Sequence, residues 1–270
     1  MPRKRSRSWV TRASMSASSE RGLALLGGAV VMPSTDGLRP TTDTVLLAAA
    51  MNAEPGMHVL DAGAGSGGAG LCLAARIPGV RVTALERESA PAQAARNNIL
   101  ANGFGDRIDV VEGDLAEFAQ TPPAHRYDGV ITNPPYLDPR GSRGSPDPLR
   151  HAATVESMPL EAWLEACLGL LKPGGEIVVV HRADRVGEVA GILERQAGSA
   201  TIMELLAGGA DNAPARRVLV RARMGEKRPR THARPLTLHR ADGSNTKAAE
   251  AILRHGAALD WVAFAQRGTK

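Results

Sequence analysis

The residues best suited to catalysis form the run Asn133-Pro134-Pro135-Tyr136, which directly follows the β-branched stretch 127–132. Two consecutive prolines fix φ and lack N–H donors, so the run should be rigid and should end a strand. The Asn133 side-chain oxygen and the Pro134 carbonyl could each accept one hydrogen of a planar amine, which would aim the nitrogen lone pair at a methyl donor. Tyr136 offers a flat face on which the substrate could stack. The run therefore predicts a catalytic turn made of Asn133, Pro134 and Tyr136.

A second candidate site is the glycine-rich turn that begins at Asp61 and ends at Gly68, after the apolar stretch 57–61. Gly63 and Gly65 permit a sharp turn and a close ligand, and with Gly68 they also satisfy the G-x-G-x-x-G pattern of nicotinamide and flavin sites. Asp61 favours a different ligand, because a carboxylate repels a pyrophosphate and attracts an ammonium group. S-adenosylmethionine carries both an ammonium and a sulfonium, so the turn predicts a site for this cofactor.

Two more carboxylates end the next two predicted strands. Glu86 closes the stretch 80–86, where an acid can accept hydrogen bonds from an adenosine ribose. Asp114 follows the stretch 108–112, where it can accept a hydrogen from the adenine amino group. Together with Asp61, these residues put acids at three successive strand ends, which a plain tight turn would not require.

The elements that must position these residues alternate between two patterns. Short apolar, β-branched runs predict strands, and segments with helical spacing lie between them. The alternation is typical of βαβ units, so we predict an α/β, Rossmann-like sheet of seven strands with helices on both faces. The loop 207–216 is too short for a crossover helix, so the last strand should be antiparallel in a mostly parallel sheet. The predicted strands are 57–61, 80–86, 108–112, 127–132, 176–181, 200–206 and 217–223, and the predicted helices include 68–76, 90–102, 160–171 and 185–196.

Charge is distributed unevenly along the chain. The net charge is +5, but residues 20–215 carry −9, whereas residues 1–19 carry +5 and residues 216–240 carry +8. An acidic body with two basic segments suits a polyanionic partner touched at two places. A solvated tail and a charged edge strand would give the same pattern, so charge alone leaves both interpretations open.

Composition excludes several other classes of protein. Hydrophobic residues make up 43% of the chain, which excludes global disorder, and no apolar run approaches the roughly 18 residues of a membrane span. Two cysteines without a C-x-x-C pair exclude a disulfide scaffold and a zinc ribbon and favour a reducing, cytoplasmic location. We expect no metal. Residues 1–20 predict a disordered basic arm, although their composition also fits a transit peptide. We expect residues 21–225 to form the catalytic domain. We expect residues 226–270 to form a basic C-terminal extension that packs on or next to this domain.

In their order and spacing, the glycine-rich turn, the strand-end acids and the Asn133 turn resemble class I S-adenosylmethionine-dependent methyltransferases that act on planar amines. From about residue 22 to residue 259, the chain is similar to the bacterial tRNA adenine-N6 methyltransferases, which modify the adenosine beside the anticodon of a valine tRNA. The resemblance implies that Asp61, Gly63, Gly65, Glu86, Asp114 and Asn133 bind the cofactor, and that Thr42 and Asp43 cover its methionine end. The other matching segments are 39–47, 181–184, 234–243 and a helical 246–258.

This resemblance makes tRNA the expected partner, and several basic residues suit RNA phosphates. A loop over residues 137–158 follows the catalytic turn and would serve as a substrate clamp, although a solvated loop is the alternative. Further arginines lie on the last predicted strand. We predict RNA contacts from Arg140, Arg143, Arg150, Arg221 and Arg223.

The expected activity is therefore N6-methylation of an adenine in tRNA, and four alternatives remain. A protein-glutamine N5-methyltransferase acting on release factors could use the same turn, but such proteins carry a helical domain before the first strand, where only 56 residues precede Met57 here. A methyltransferase for another RNA fits the same residues. A nicotinamide-dependent oxidoreductase leaves the Asn133 turn unexplained, and a catalytically silent RNA-binding protein would share the fold without the reaction.

Overall fold

The centre of the fold is a mixed sheet covered by helices, seen in a computed structural model that describes residues 22–33, 39–120, 126–135, 158–209 and 214–262. Its helices are α1 (Thr42–Ala50), α2 (Gly68–Arg76), α3 (Ser89–Ala101), α4 (Leu115–Gln120), α5 (Leu160–Gly169), α6 (Val186–Ala197) and α7 (Lys247–His255). Its strands are β1 (Leu23–Leu25), β2 (Val30–Met32), β3 (His58–Ala62), β4 (Arg81–Glu86), β5 (Ile108–Glu112), β6 (Tyr127–Thr132), β7 (Leu171–Arg182), β8 (Thr201–Gly208), β9 (Arg217–Arg223), β10 (Thr231–His232) and β11 (Leu236–His239).

The main sheet has the strand order β10-β8-β9-β7-β6-β3-β4-β5, and β11 also pairs with β8. Strands β3 to β7 are all parallel to one another, whereas β9 is antiparallel to both β7 and β8. The α/β class and the antiparallel closing strand are therefore confirmed. We call the side where β3, β4, β6 and β7 end the carboxyl edge, and the opposite side the amino edge, because ligands of open α/β sheets bind beyond the strands' carboxyl ends.

All seven predicted strands are present, and two short strands from the C-terminal segment, β10 and β11, extend the sheet beside β8. The largest difference in bounds is at β7, which begins at Leu171 instead of residue 176. Its register against β6 shifts between the pair Tyr127–Leu171 and the pair Gly129–Glu176. The Pro-Gly-Gly sequence before Glu176 is thus accommodated as a bulge inside the strand and does not end it.

The core consists of two apolar layers, one on each face of the sheet. Successive strand residues point to opposite faces, so Val59 and Val178 contribute to the first layer and Leu60 and Val179 to the second. Helices α1, α2 and α7 supply the first layer, and α5 and α6 supply the second. Both cysteines are buried in these layers, in agreement with a packing role.

A hairpin of β1 and β2 lies ahead of the main sheet, in a region where sequence patterns predict no element. Leu23 pairs with Met32, whose side chain is buried. Asn102, which follows α3, accepts from the Val31 N–H at 2.9 Å and donates to the Val31 carbonyl at 2.6 Å. These two hydrogen bonds join the hairpin to the end of α3, one of the helices that cover the sheet.

The C-terminal segment is joined to the rest of the fold through α1 as well as through β8. Thr246 caps α7 by accepting the Ala249 N–H at 3.1 Å. Beyond α7, the Leu259 N–H donates to the Ala49 carbonyl at 2.9 Å, and the Trp261 indole donates to the Ala50 carbonyl at 2.9 Å. Among the residues described above, no helix is long and apolar enough to cross a membrane, and no His, Cys, Asp and Glu side chains cluster as a metal site.

Candidate active site

The glycine-rich turn leaves β3 at the carboxyl edge and is bonded to the end of β4. The N–H groups of Gly63 and Ala64 both donate to the Leu85 carbonyl at 3.0 Å. Gly63 and Gly65 have φ values of 75° and 55°, a left-handed conformation that disfavours side chains. The sequence therefore needs glycine at these two positions for the chain to reverse direction and enter α2.

Glu86, at the end of the neighbouring strand β4, holds this turn in place through hydrogen bonds. Its Oε2 accepts the Gly65 N–H at 2.8 Å, and its Oε1 accepts the Glu88 N–H at 2.9 Å. Each carboxylate oxygen can accept more than one hydrogen bond, so the group retains acceptor capacity after making both contacts. The half-buried carboxylate is thus held in one orientation beside the turn, as ribose recognition requires.

Asp61 lies beneath the turn and is 2% exposed. Its Oδ2 accepts the Gly70 N–H at 2.9 Å, from the first turn of α2. Burial raises the pKa of Asp61 to about 7, with a further contribution from the nearby Glu86 charge, while the Gly70 bond acts in the opposite direction. Asp61 forms no ion pair with any of the described residues. A ligand ammonium would supply the missing positive charge and lower this pKa again.

Asp114 lies at the end of the next strand, just ahead of α4. Its Oδ1 accepts the Ala116 N–H at 2.8 Å, and its Oδ2 lies 4.0 Å from the Arg87 guanidinium. Its side chain is 36% exposed. The three acids predicted at successive strand ends therefore all lie along the carboxyl edge, and only Asp61 is buried.

Thr42 and Asp43 form the first turn of α1, whose N-terminus packs against the start of α2. A Cβ placed on Gly68 would lie 3.0 Å from the Thr44 methyl group and 3.1 Å from Pro40, so this approach needs glycine. Asp43 forms an ion pair with Arg217 at 3.0 Å. The segment predicted from the resemblance to cover the cofactor thus lies next to the glycine-rich turn.

The Asn133 turn begins beside the glycine-rich turn, because β6 and β3 are neighbours. Thr132, the last residue of β6, is in register with Ala62, the last residue of β3. The Thr132 hydroxyl also donates to the Ala62 carbonyl at 2.9 Å. Asn133 and Gly63 are therefore the next residues of two adjacent strands, with Asn133 exposed and Pro134 buried. Tyr136 lies outside the described residues.

Trp163 is a site residue that the sequence analysis missed. Its indole N–H donates to the Thr132 hydroxyl at 3.0 Å. Its ring also lies 3.2 Å from the position that a Cβ on Gly63 would take. Trp163 thus contacts the residues that begin both turns. The helical spacing of Leu160, Trp163 and Leu164 indicates a buried stripe, but such spacing cannot show which strand ends the indole touches.

The predicted RNA-contacting residues do not all reach this site. Arg140, Arg143 and Arg150 lie outside the described residues. Arg221 and Arg223 lie on β9 in register with Val178 and Glu176, toward the amino edge. Arg223 is 3.5 Å from the buried Glu176 carboxylate, and Arg221 is 4.0 Å from it and stacks on the Trp261 ring at 4.6 Å. The structure does not bring these two arginines beside the Asn133 turn.

The chain is similar in sequence to known methyltransferases. A family model described as "Methyltransferase small domain" matches residues 39–205. The tRNA1(Val) (adenine(37)-N6)-methyltransferase of Aeromonas hydrophila is 32% identical over 209 residues, which cover 75% of this chain and 83% of that protein. The protein of the same name from Porphyromonas gingivalis is 33% identical over 159 residues, which cover 56% of this chain and 62% of that protein. The chain thus spans less than two thirds of the Porphyromonas relative.

A solved structure agrees with this relationship. The crystal structure of a predicted O-methyltransferase from Agrobacterium tumefaciens has a TM-score of 0.66 and 26% identity, and the match covers 80% of this chain and 98% of that one. The glycine-rich turn, the strand-end acids and the Asn133 turn lie within the matched residues 39–205. This chain therefore belongs to the methyltransferase small domain family and, within it, to the family of the bacterial tRNA1(Val) (adenine(37)-N6)-methyltransferases.

Proposed function

We propose that this protein transfers a methyl group from S-adenosylmethionine to N6 of an adenine in tRNA. The observation that carries the proposal is the adjacency of the two turns: Asn133 and Gly63 directly follow Thr132 and Ala62, which are paired across β6 and β3. A cofactor cleft and an amine-binding turn that start from neighbouring strand ends bring donor and acceptor together, which accounts for much of the rate in a transfer of this kind.

The site residues fit S-adenosylmethionine. Asp61 is a buried carboxylate suited to an ammonium group, and Glu86 is a fixed acceptor suited to a ribose. We assign the cofactor to Thr42, Asp43, Asp61, Gly63, Gly65, Glu86, Asp114 and Asn133. When bound, the cofactor supplies a methyl group made electrophilic by its sulfonium.

Asn133 and Pro134 have the task of orienting the acceptor nitrogen. The Asn133 side-chain oxygen and the Pro134 carbonyl would each accept one hydrogen of the adenine amino group, which holds the nitrogen lone pair toward the donor. The amino nitrogen is a poor nucleophile because its lone pair is delocalised, so this orientation does the work that a general base would otherwise do. Tyr136 would stack on the base.

The choice of adenine over a glutamine carboxamide rests on the relatives. Both acceptors fit an asparagine-proline turn, and both lose a proton only after the methyl group has been added. The Aeromonas and Porphyromonas relatives are named for adenine 37 of tRNA1(Val), so we propose the adenosine beside the anticodon of a valine tRNA. An adenosine in an anticodon loop is partly unstacked, and its entry into a pocket costs less than base flipping from a duplex.

We further propose that the reaction takes place in the cytoplasm, that residues 1–20 act as a basic arm, and that residues 21–225 and 226–270 form the catalytic domain and its extension. These assignments follow the charge pattern and the resemblance described above.

The test is identification of the methylated product. The protein is incubated with labelled S-adenosylmethionine and either bulk tRNA or a release factor, and the labelled product is digested and identified. N6-methyladenosine from tRNA supports the proposal. N5-methylglutamine from the release factor overturns it in favour of the protein substrate, and no label in either overturns the activity.

A further inference from the structure

The glycine-rich turn needs other elements to hold its shape. Gly63, Gly65 and Gly67 have φ values of 75°, 55° and 84°. Glycine has more accessible backbone conformations than any other residue, so three glycines within this short turn give it a large conformational entropy to lose. Glu86 at the end of β4 holds the turn by accepting the Gly65 N–H. A second support comes from the helix α3.

Asn98 of α3 makes a hydrogen bond to the turn. Its Nδ2 donates to the Ser66 carbonyl at 3.0 Å. Asn98 is 0% exposed and Ser66 is 4% exposed. Burial of an amide side chain costs free energy unless protein hydrogen bonds replace the bonds to water. An apolar residue would satisfy packing at this position, so the asparagine indicates a requirement for the bond to the turn.

Packing brings the same face of α3 against the next residue of the turn. A Cβ placed on Gly67 would lie 3.2 Å from the Ala95 Cβ and 3.5 Å from the Ala95 Cα. Ala95 and Asn98 are three residues apart, so their side chains lie on one face of the helix. This face of α3 therefore contacts Ser66 and Gly67, the two residues that lead into α2.

The backbone of Asn98 is fixed in turn by the end of α3. The Asn102 Nδ2 donates to the Asn98 carbonyl at 2.7 Å. Asn102 also bonds the backbone of Val31 in the β1–β2 hairpin. The last turn of α3 is thus held between the hairpin and the glycine-rich turn, and Asn98 has a fixed position from which to bond Ser66.

We infer that Asn98 is a positioning residue of the cofactor site: its amide holds the Ser66 carbonyl and keeps the glycine-rich turn in the conformation that binds S-adenosylmethionine. The inference rests on the proposed function, because it takes that cofactor as the ligand of the turn. A site that is held in its binding conformation loses less conformational entropy when the ligand binds. Removal of the amide should therefore weaken cofactor binding through the turn.

The first experiment compares two alanine variants of the full chain. Asn98→Ala removes the donor to the Ser66 carbonyl, and Thr246→Ala, the control, removes a hydroxyl that donates to the Thr237 carbonyl at 2.7 Å in the C-terminal segment. In calorimetric titration with S-adenosylmethionine, we expect about a 10-fold loss of affinity for Asn98→Ala, the equivalent of one hydrogen bond, and a change within about 2-fold for Thr246→Ala. Hydrogen exchange without cofactor should become faster over residues 61–70 in Asn98→Ala only.

A second pair of variants tests the same face of α3 by adding volume. Ala95→Val should press on Gly67 and shift the turn, with about a 10-fold loss of affinity for S-adenosylmethionine. Ala94→Val is the control, because Ala94 is also 0% exposed and its side chain leaves the helix about 100° away from that of Ala95. Both substitutions overpack the interior, so a difference in affinity between them reports the contact with the turn. This pair decides the inference if Asn98→Ala does not fold.

The outcomes separate this inference from the proposed function. If the parent forms N6-methyladenosine and Asn98→Ala binds S-adenosylmethionine no more weakly than Thr246→Ala, the positioning role is wrong and the reaction stands. If Asn98→Ala alone loses affinity but the parent methylates no adenine in bulk tRNA, the proposed reaction is wrong and the role of Asn98 stands. A parent protein that does not bind S-adenosylmethionine overturns the inference.

Discussion

Trp163 and Thr132 are joined by a hydrogen bond of 3.0 Å from the indole N–H to the hydroxyl, which in turn donates to the Ala62 carbonyl at 2.9 Å. Thr132 is fully buried, so loss of the indole N–H would leave its oxygen with one partner fewer in a site shielded from water. The chain of bonds joins α5, β6 and β3 at the point where both turns begin. It fixes the separation of the Asn133 turn from the glycine-rich turn.

Trp163→Phe should therefore lower kcat by about 10-fold, because a shift of the Asn133 turn by a fraction of an ångström misaligns donor and acceptor. Trp261→Phe is the matched control, since its indole also donates one bond of 2.9 Å, to the Ala50 carbonyl at the far end of α1. Single-turnover methylation and tRNA affinity are measured for both. In a Thr132→Val background, Trp163→Phe should have little further effect. Equal losses in the two tryptophan variants would contradict a positioning role.

Gly63→Ala should weaken cofactor binding more than its backbone strain alone explains. A side chain at positive φ costs about 1–2 kcal/mol, and at Gly63 the new methyl would also lie 3.2 Å from the Trp163 ring. Gly243→Ala has a φ of 82° and meets nothing within 4 Å, so it measures the strain alone. Calorimetric titration with S-adenosylmethionine should show at least a 10-fold loss for Gly63→Ala and no loss for Gly243→Ala. Unchanged affinity in both would remove Gly63 from the cofactor site.

Asp61 should make stability depend on pH. Its folded-state pKa is about 7, whereas the unfolded carboxyl titrates near 4. Between these values the folded protein holds a proton that the unfolded chain has released, so the free energy of unfolding falls as pH rises from about 4 to about 7 and is flat above. The change is on the order of 4 kcal/mol at most. Asp61→Asn lacks this titration. Urea unfolding should therefore show that the free energy of unfolding of the variant, relative to that of the wild-type protein, is higher at pH 8 than at pH 5.

The same carboxyl should couple cofactor binding to proton release. An ammonium group favours the charged form of Asp61, so binding near pH 6.5 should release a proton from the wild-type protein and none from Asp61→Asn. Calorimetry in two buffers of different ionisation enthalpy measures this directly. Identical proton release in the two proteins would show that another group responds to the ligand.

Arg221→Ala should cost stability and leave tRNA affinity unchanged. Burial raises the pKa of Glu176 even though Arg221 and Arg223 oppose that shift. Removal of the Arg221 guanidinium therefore leaves the buried Glu176 carboxylate with less positive charge to balance it. We expect a loss of about 2 kcal/mol in the free energy of unfolding, below the full range for a buried pair because Arg223 remains. In a Glu176→Gln background the same substitution should cost less. A 10-fold loss of tRNA affinity without loss of stability would instead support the RNA contact that the sequence predicts for Arg221.

Asn133→Ala should abolish most of the turnover while both ligands still bind. In the proposed reaction the turn orients the acceptor amine, and loss of one preorganised polar contact of this kind costs about 10²–10³ in kcat. Asn97→Ala, an exposed asparagine of α3, is the control. Methyl transfer is measured with tRNA and with S-adenosylmethionine each at saturation. Near-normal turnover in Asn133→Ala would favour a catalytically silent RNA-binding protein or another catalytic residue.

Local patterns were sufficient to predict the seven strands β3 to β9 and the two turns. Strands β5, β6 and β9 begin and end at the predicted residues, because each is bounded by glycine, proline or charge. The position of Asn133 beside Gly63 also follows from sequence, once β3 and β6 are taken as parallel neighbours. Side chains at strand carboxyl ends in a parallel sheet necessarily share one edge.

Contacts between residues that are distant in sequence could not be predicted from local patterns. Trp163 is 31 residues from Thr132, and helical spacing predicts its burial without naming its partner. The basic residues 216–240 are contiguous in sequence, but the antiparallel β9 and the return through β10 and β11 separate the ends of this segment from its middle. Strand direction and register decide that division, and composition carries neither.

The contacts of the last described residues with α1 limit how far the polypeptide can be shortened. Leu259 and Trp261 hold the carbonyls at the end of that helix, and Leu236, Leu238 and Ile252 share its apolar layer. Truncation after β9 would expose this apolar layer to water and destabilise α1, which carries Thr42 and Asp43 at its other end. A protease cut near residue 225 should therefore abolish methyl-donor affinity along with solubility.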